Sequence, residues 1–204
     1  MDAALRAGIA LYNAGYYRIT HDAWEAPWLG MGGRQEPKDF LQGLIQFTVA
    51  IHHATVDNES GARKLAGRAQ TYLEGYPEKY QGVDLGPVRA YLAALEADPA
   101  HVEDTDPPTI THNGKAVELA DLDFEETTLA AEAIAEVEGD EELLDAAIEY
   151  AEADLDDGDE GSQFITFVFD YVRSPDDREI IRQRLSEHVD RRDGREADVE
   201  GLFE

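Results

Sequence analysis

Apolar residues between Ala3 and Asn13 recur at helical spacing and stop just before Gly15, and Tyr17 to Trp28 resumes the pattern with apolar and aromatic residues one turn apart. The two runs predict a helical hairpin. Past the glycine-rich break Gly30-Met31-Gly32-Gly33, Pro37 suits a first helical turn, and Phe40, Leu41, Leu44, Ile45, Thr48 and Ile51 form a broad apolar face. A face that wide predicts a central, buried helix. Asn58 stands where a cap belongs for a helix carrying Ala62, Leu65, Ala66, Ala69 and Leu73, which should end at Gly75 before Pro77. A fifth helix is expected over about 87–97.

The pattern then breaks. Asp98-Pro99 through Asp106-Pro107-Pro108 reads as a linker, because successive prolines and like charges resist regular structure. Asn113-Gly114, flanked by the alternating residues of 109–117, is a short hairpin signal, so a small β-hairpin is expected near 109–119. Helical periodicity returns over about 124–137, with Leu129, Ala133, Ile134 and Val137, and over about 141–155, with Leu144, Ala147, Ile148 and Ala151. The acidic turn Asp156-Asp157-Gly158-Asp159-Glu160-Gly161 lacks the ligand spacing and terminal glutamate of a calcium loop. Residues 162–172 are apolar all round and fit a buried strand or a buried helix; helical neighbours and the capping residue Ser162 favour a helix. In the last helix Ser174 caps, Pro175 opens the first turn, and Ile180, Ile181, Leu185 and Val189 should bury. The expectation is an all-α protein, a bundle of packed helical hairpins: a five-helix part over 1–97, a linker over 98–108, an acidic helical part over 109–193 and a loose acidic tail over 194–204.

Charge sharpens that division. The chain of 204 residues has 45 acids, 17 bases and a net charge of -28. Residues 1–100 hold 12 acids and 9 bases, net -3, which leaves 33 acids and 8 bases, net -25, for 101–204. Molar salt shortens the screening length to about 3 Å and removes most self-repulsion, so the composition is that expected of a protein in a very salty cytoplasm. No basic stripe with interleaved aromatics is present, so nucleic acid is not an expected partner. Nothing in the chain reads as a membrane span, and the opening Met1-Asp2-Ala3-Ala4-Leu5 lacks the basic start and apolar core of a signal peptide, so no membrane partner and a cytoplasmic location are expected. Without cysteine there is no thiolate nucleophile and no cysteine zinc site, so a metal would need histidine and carboxylate ligands.

Candidate chemistry gathers in the first half. His21 and Glu25 are one turn apart and share a helix face. Gln42, Gln46, Val49 and His53 fall at i, i+4, i+7 and i+11 on the central helix, a polar line on an otherwise apolar segment. If the two lines meet, His21, Glu25 and His53 form the minimal set for a divalent metal with open positions, with Gln42, Gln46, Trp28 and Asn13 as ligand-binding neighbours. Without a metal, His21 and Glu25 are an acid and base pair. The competing reading is a closed polar network that fixes helix register. His52 reads as a neighbour to that set, and His101, His112 and His188 as isolated. Gly8, Tyr12, Gly15 and Tyr17 also resemble a tetratricopeptide helix pair, and Asn58-Glu59-Ser60-Gly61-Ala62 could begin a second such helix.

Several motifs stand in one order: Tyr12-Asn13-x-Gly15-x-Tyr17, His21-x-x-Trp24-Glu25-x-x-Trp28, Gln42-Gly43-Leu44-Ile45-Gln46, His52-His53 and Asn58-x-x-Gly61-Ala62-x-x-Leu65. Together, over about residues 3–95, they resemble the domain-of-unknown-function 309 family. The resemblance implies a small all-helical prokaryotic domain with no established activity. The family motif carries His-Glu where this chain has His21-Asp22, which implies a conservative two-carboxylate role for that helix. Function stays open between a small-ligand or metal pocket with hydrolytic chemistry and a non-catalytic interaction module that pairs with a protein partner or with copies of itself.

Overall fold

The computed structural model describes residues 1–31 and 36–200, so Gly32 and Gly33 of the expected break and residues 201–204 lie outside the described residues. The fold is all-α with a minor β element. It divides into two compact units, Met1–Leu122 and Asp123–Glu204.

The first unit contains α1 (Asp2–Asn13), α2 (Thr20–Gly30), α3 (Glu36–Thr55), α4 (Glu59–Leu73), α5 (Leu85–Ala97) and the single turn α6 (His101–Asp104). Gly15, at φ +87°, ends α1 in the left-handed conformation, and the Tyr16 N–H donates back to the Leu11 carbonyl. Helix α3 is central and packs on α2 and, most extensively, on α4. Its Phe40, Leu41, Leu44, Phe47 and Ile51 are all at most 1% exposed. Each such side chain contributes on the order of 1.5–3 kcal/mol by burial.

The expected hairpin forms from β3 (Thr111–His112) and β4 (Lys115–Ala116). An unexpected one, β1 (Lys79–Tyr80) with β2 (Val83–Asp84), precedes it, and the four short strands pair antiparallel in the order β1-β2-β3-β4. Both turns place two residues at positive φ, Gln81 and Gly82 at 49° and 79°, Asn113 and Gly114 at 52° and 80°. Asn-Gly announces such a turn, whereas Gln81 is no habitual left-handed residue. The second turn braces the first, as the Asn113 N–H donates to the Gly82 carbonyl at 2.7 Å and Gly82 lies so close to His112 that a Cβ would sit 2.6 Å from the ring.

Residues 98–108, expected to be a linker, run inside the first unit. The Tyr91 hydroxyl donates to the Thr105 carbonyl, the Tyr12 hydroxyl to the Pro108 carbonyl, and the Asn13 amide to the carbonyls of Ile110 and Val117. The division falls after Leu122, where Asp123 opens the next helix with a capping box to Glu126.

The second unit is α7 (Phe124–Glu138), α8 (Glu141–Asp156), α9 (Gln163–Arg173) and α10 (Arg178–Glu200), with a 3₁₀ turn at Pro175–Asp177. Residues 163–173 are helical: the Ser162 hydroxyl caps the Phe164 N–H, and α9 packs against α7, α8 and α10. Its seemingly uniform apolarity resolves into a face of Phe164, Ile165, Val168, Tyr171 and Val172 buried at the centre. Val137 and Ile180, expected inside, are 41% and 48% exposed near their helix ends. Helix α10 continues to Glu200 where a loose tail was expected from 194, held by Arg192 to Glu196 and by the Tyr150 hydroxyl donating to Asp193. Among the described residues no helix is long and apolar enough to cross a membrane.

Candidate functional site

The site begins in the turn before α2. The buried Thr20 hydroxyl donates to the Tyr16 carbonyl and secures the bend that leads into the helix. His21 follows at once, and its Nδ1 donates to the Arg18 carbonyl. That bond fixes the ring and leaves Nε2 as the atom available for chemistry. Nε2 lies 2.8 Å from Asp22 Oδ1. With both ring nitrogens facing oxygen acceptors the imidazolium is favoured, and the His21 pKa is raised above its ordinary value: the Asp22 hydrogen bond contributes most, the Arg18 carbonyl and the charges of Asp22 and Glu25 add to it, and burial opposes it.

One turn along, Glu25 completes a set in which one ligand atom each from His21, Asp22 and Glu25 lies within 4.8 Å of the others. His21 and Asp22 are part-buried and Glu25 is exposed, so the cluster opens to solvent. Two chemistries fit it. The proton shared between His21 and Asp22 makes a general acid, and the same Nε2 lone pair, once free, joins two carboxylates as donors to a divalent cation. A ligating histidine normally donates its other N–H to a carbonyl or carboxylate, the role the Arg18 carbonyl has here.

Trp28 follows Glu25 at i+3 on the same helical face. Its indole N–H is buried with no hydrogen-bond partner among the described residues, while Lys38 Nζ sits 4.2 Å from its ring centroid. The His52 pKa is lowered, first by burial and then by positive charge at His53, Arg18 and His21.

The two polar lines anticipated from the sequence do not converge. His53 is in no group of three metal-ligating side chains among the described residues. Its Nδ1 accepts from the Asn58 amide at 2.8 Å, while Asn58 Oδ1 caps α4 by accepting from the Gly61 N–H. His53 thus ties the end of α3 to the start of α4. Gln46 also faces α4 and lines a groove there, and Gln42 is half-buried along the same line. Asn13 is a structural brace: both amide hydrogens are donated to Ile110 and Val117, and its oxygen accepts from the Ile110 N–H.

Asp22 is the member that side-chain spacing missed. Asp22 is marked in the sequence only by the family pattern, since adjacent residues on a helix do not ordinarily share a face. His52 falls at i+7 from Ile45 and i+4 from Thr48, both buried, so the helical period itself marks its side of α3. The histidines read as isolated have partners too: His112 is buried with Nε2 3.3 Å from Asp2, and His101 packs on Tyr91 at 5.2 Å.

These elements coincide with a known sequence family. Residues 5–65 match the domain of unknown function DUF309. The matched DUF309 segment runs from α1 into α4 and includes the whole His21, Asp22 and Glu25 cluster together with His52 and Trp28. Over 107 residues the chain is also 27% identical to an uncharacterized protein of Aquifex aeolicus (strain VF5), covering 52% of this chain and 31% of that protein. The chain therefore spans about a third of the length of that relative.

Proposed function

We propose that the first unit binds a divalent transition-metal ion through His21 Nε2 and the carboxylates of Asp22 and Glu25. The observation that carries this reading is the convergence of those three side chains within 4.8 Å on one end of α2, with the remaining nitrogen of His21 already committed to the Arg18 carbonyl. One nitrogen and two carboxylate donors suit zinc, manganese, iron or cobalt, and solvent reaches the open side. A cation held there supplies Lewis acidity toward water or a substrate oxygen. The protein's own contribution is to orient His21 through the Arg18 carbonyl and to leave the cluster open to solvent on its Glu25 side.

The test is a titration of chelator-treated protein with Mn(II), followed by loss of the free-ion paramagnetic resonance signal, and with Zn(II) by calorimetry. One equivalent should bind. His21→Ala and Glu25→Gln should each weaken binding by more than the ~10–100-fold that even outer-shell partners cost, whereas His53→Ala should leave it unchanged. Binding should also weaken in acid, because His21 Nε2 must release its proton to ligate. Absence of saturable binding at about 1 mM ion, or equal loss in the His53 variant, defeats the reading.

A further inference from the structure

A second site lies on the other side of α3, where it meets α4. Gly43 lets the helices approach: a Cβ there would stand 2.5 Å from Leu73 and 3.2 Å from Tyr72. Above this contact opens a groove of about 840 Å³, lined by Asp39 and Gln46 of α3, Arg68 and Tyr72 of α4, and Tyr76 and Tyr80 of the following turn and strand. That volume lies in the range of small-ligand clefts. The wall is preformed. Tyr76 and Tyr80 meet edge to face at 4.7 Å, Tyr80 meets the buried Phe40 at 4.9 Å, and Arg89 donates to the carbonyls of Leu73 and Tyr76, which holds the turn in place.

Three features say what such a groove takes. Gln46 lines the groove and its Oε1 is buried with no hydrogen-bond partner among the described residues, so a turn of the amide to meet a ligand N–H in the groove removes the cost of an unsatisfied acceptor. Asp39 and Arg68 face the same groove without an ion pair between them among the described residues, which offers one negative and one positive partner. The tyrosines supply an apolar wall with polar edges, suited to planar or aliphatic groups and to an ammonium. A nucleotide would use the aromatic wall but would bring at least two negative charges to one arginine, on a chain whose net charge is -28. A zwitterion matches the balance of the lining.

We propose that this groove binds a short zwitterionic peptide, its ammonium at Asp39, a backbone N–H at the Gln46 side chain, its carboxylate at Arg68 and its side chains against Tyr72, Tyr76 and Tyr80. This is a site separate from the His21 cluster, and its occupancy needs no metal.

The experiment titrates the full chain, after chelator treatment, with the tripeptide Ala-Tyr-Ala, with the same tripeptide acetylated at its amine and amidated at its carboxyl, and with adenosine monophosphate. Heat of binding and the side-chain amide resonance of Gln46 are followed. The free tripeptide should saturate with Kd of about 1 mM or tighter and shift that resonance. Blocking both ends should weaken binding at least tenfold, and Arg68→Gln, at an exposed position where folding is not at stake, should weaken the free tripeptide at least tenfold while leaving the blocked one unchanged. No saturation by the free tripeptide, equal binding of the blocked one, or saturation by adenosine monophosphate alone overturns the proposal.

Discussion

Gly8 shows how one residue sets a helix crossing. A Cβ at this position would lie 2.1 Å from the indole nitrogen of Trp24, which is fully buried and donates to the Leu5 carbonyl. In an isolated helix Gly8→Ala would be stabilising by about 1 kcal/mol. Here the clash is with a rigid indole that has no room to retreat, and overpacking of that kind costs about 1–3 kcal/mol or more. The overlap outweighs the propensity, so Gly8→Ala should lower the melting temperature, read by circular dichroism, and disturb tryptophan emission; an unchanged or raised midpoint contradicts this account. The glycine and the tryptophan are both legible in the sequence, but that each exists for the other appears only when α1 and α2 are packed. Gly61 is similar in kind: its missing Cβ leaves room for the Asn58 amide, which would otherwise be 2.7 Å away.

At the scale of elements, α9 and α10 make a testable pair. His188 on α10 meets the buried Phe164 of α9 edge to face at 4.8 Å and accepts at Nδ1 from Arg191. Its pKa is lowered, by burial first and then by the charges of Arg191 and Arg195, with Asp154 opposing. A histidine held neutral in the fold binds protons more readily when unfolded, so its contribution is fully present above about pH 6.5 and is lost as pH falls below that value toward the depressed folded one. The stability advantage of the natural protein over His188→Gln, measured by denaturant unfolding, should therefore be larger at pH 8 than at pH 5. An advantage that stays constant or grows in acid would show the depressed protonation to be irrelevant to stability. The elements themselves were largely readable: the helices at 124–138 and 141–156 carry clear periodicity. The β1–β2 hairpin was not, because its turn depends on His112 and Asn113, about thirty residues later in the chain.

Across the whole molecule the acidity is concentrated in the second unit, though less completely than a division at residue 100 suggests. Residues 123–204 carry 28 acids and 7 bases, net -21, and residues 1–122 carry 17 acids and 10 bases, net -7. Screening of those charges should matter most for α7 to α10. Both tryptophans, Trp24 and Trp28, lie in the first unit, so their emission reports that unit while far-ultraviolet dichroism reports all helices. On transfer from molar to millimolar salt, helicity should fall while tryptophan emission holds. Unchanged helicity, or simultaneous loss of both signals, would remove salt screening as the explanation for the composition.

The sequence by itself determined the helical class, most helix positions, the Asn113-Gly114 turn and the placement of His21 and Glu25 on one face. Periodicity, caps and turn residues are local, and each is written within a few positions of the structure it specifies. Tertiary structure decided which polar residues act together. Rotation about α3 sends Gln46 and His53 to α4. The backbone beyond residue 98 determines that Asn13 is a brace and not a ligand group. It also decided that residues 98–108 belong to the first unit, since their hydrogen-bond partners lie on α1 and α5. Such assignments depend on which helix faces meet, and no local pattern encodes that.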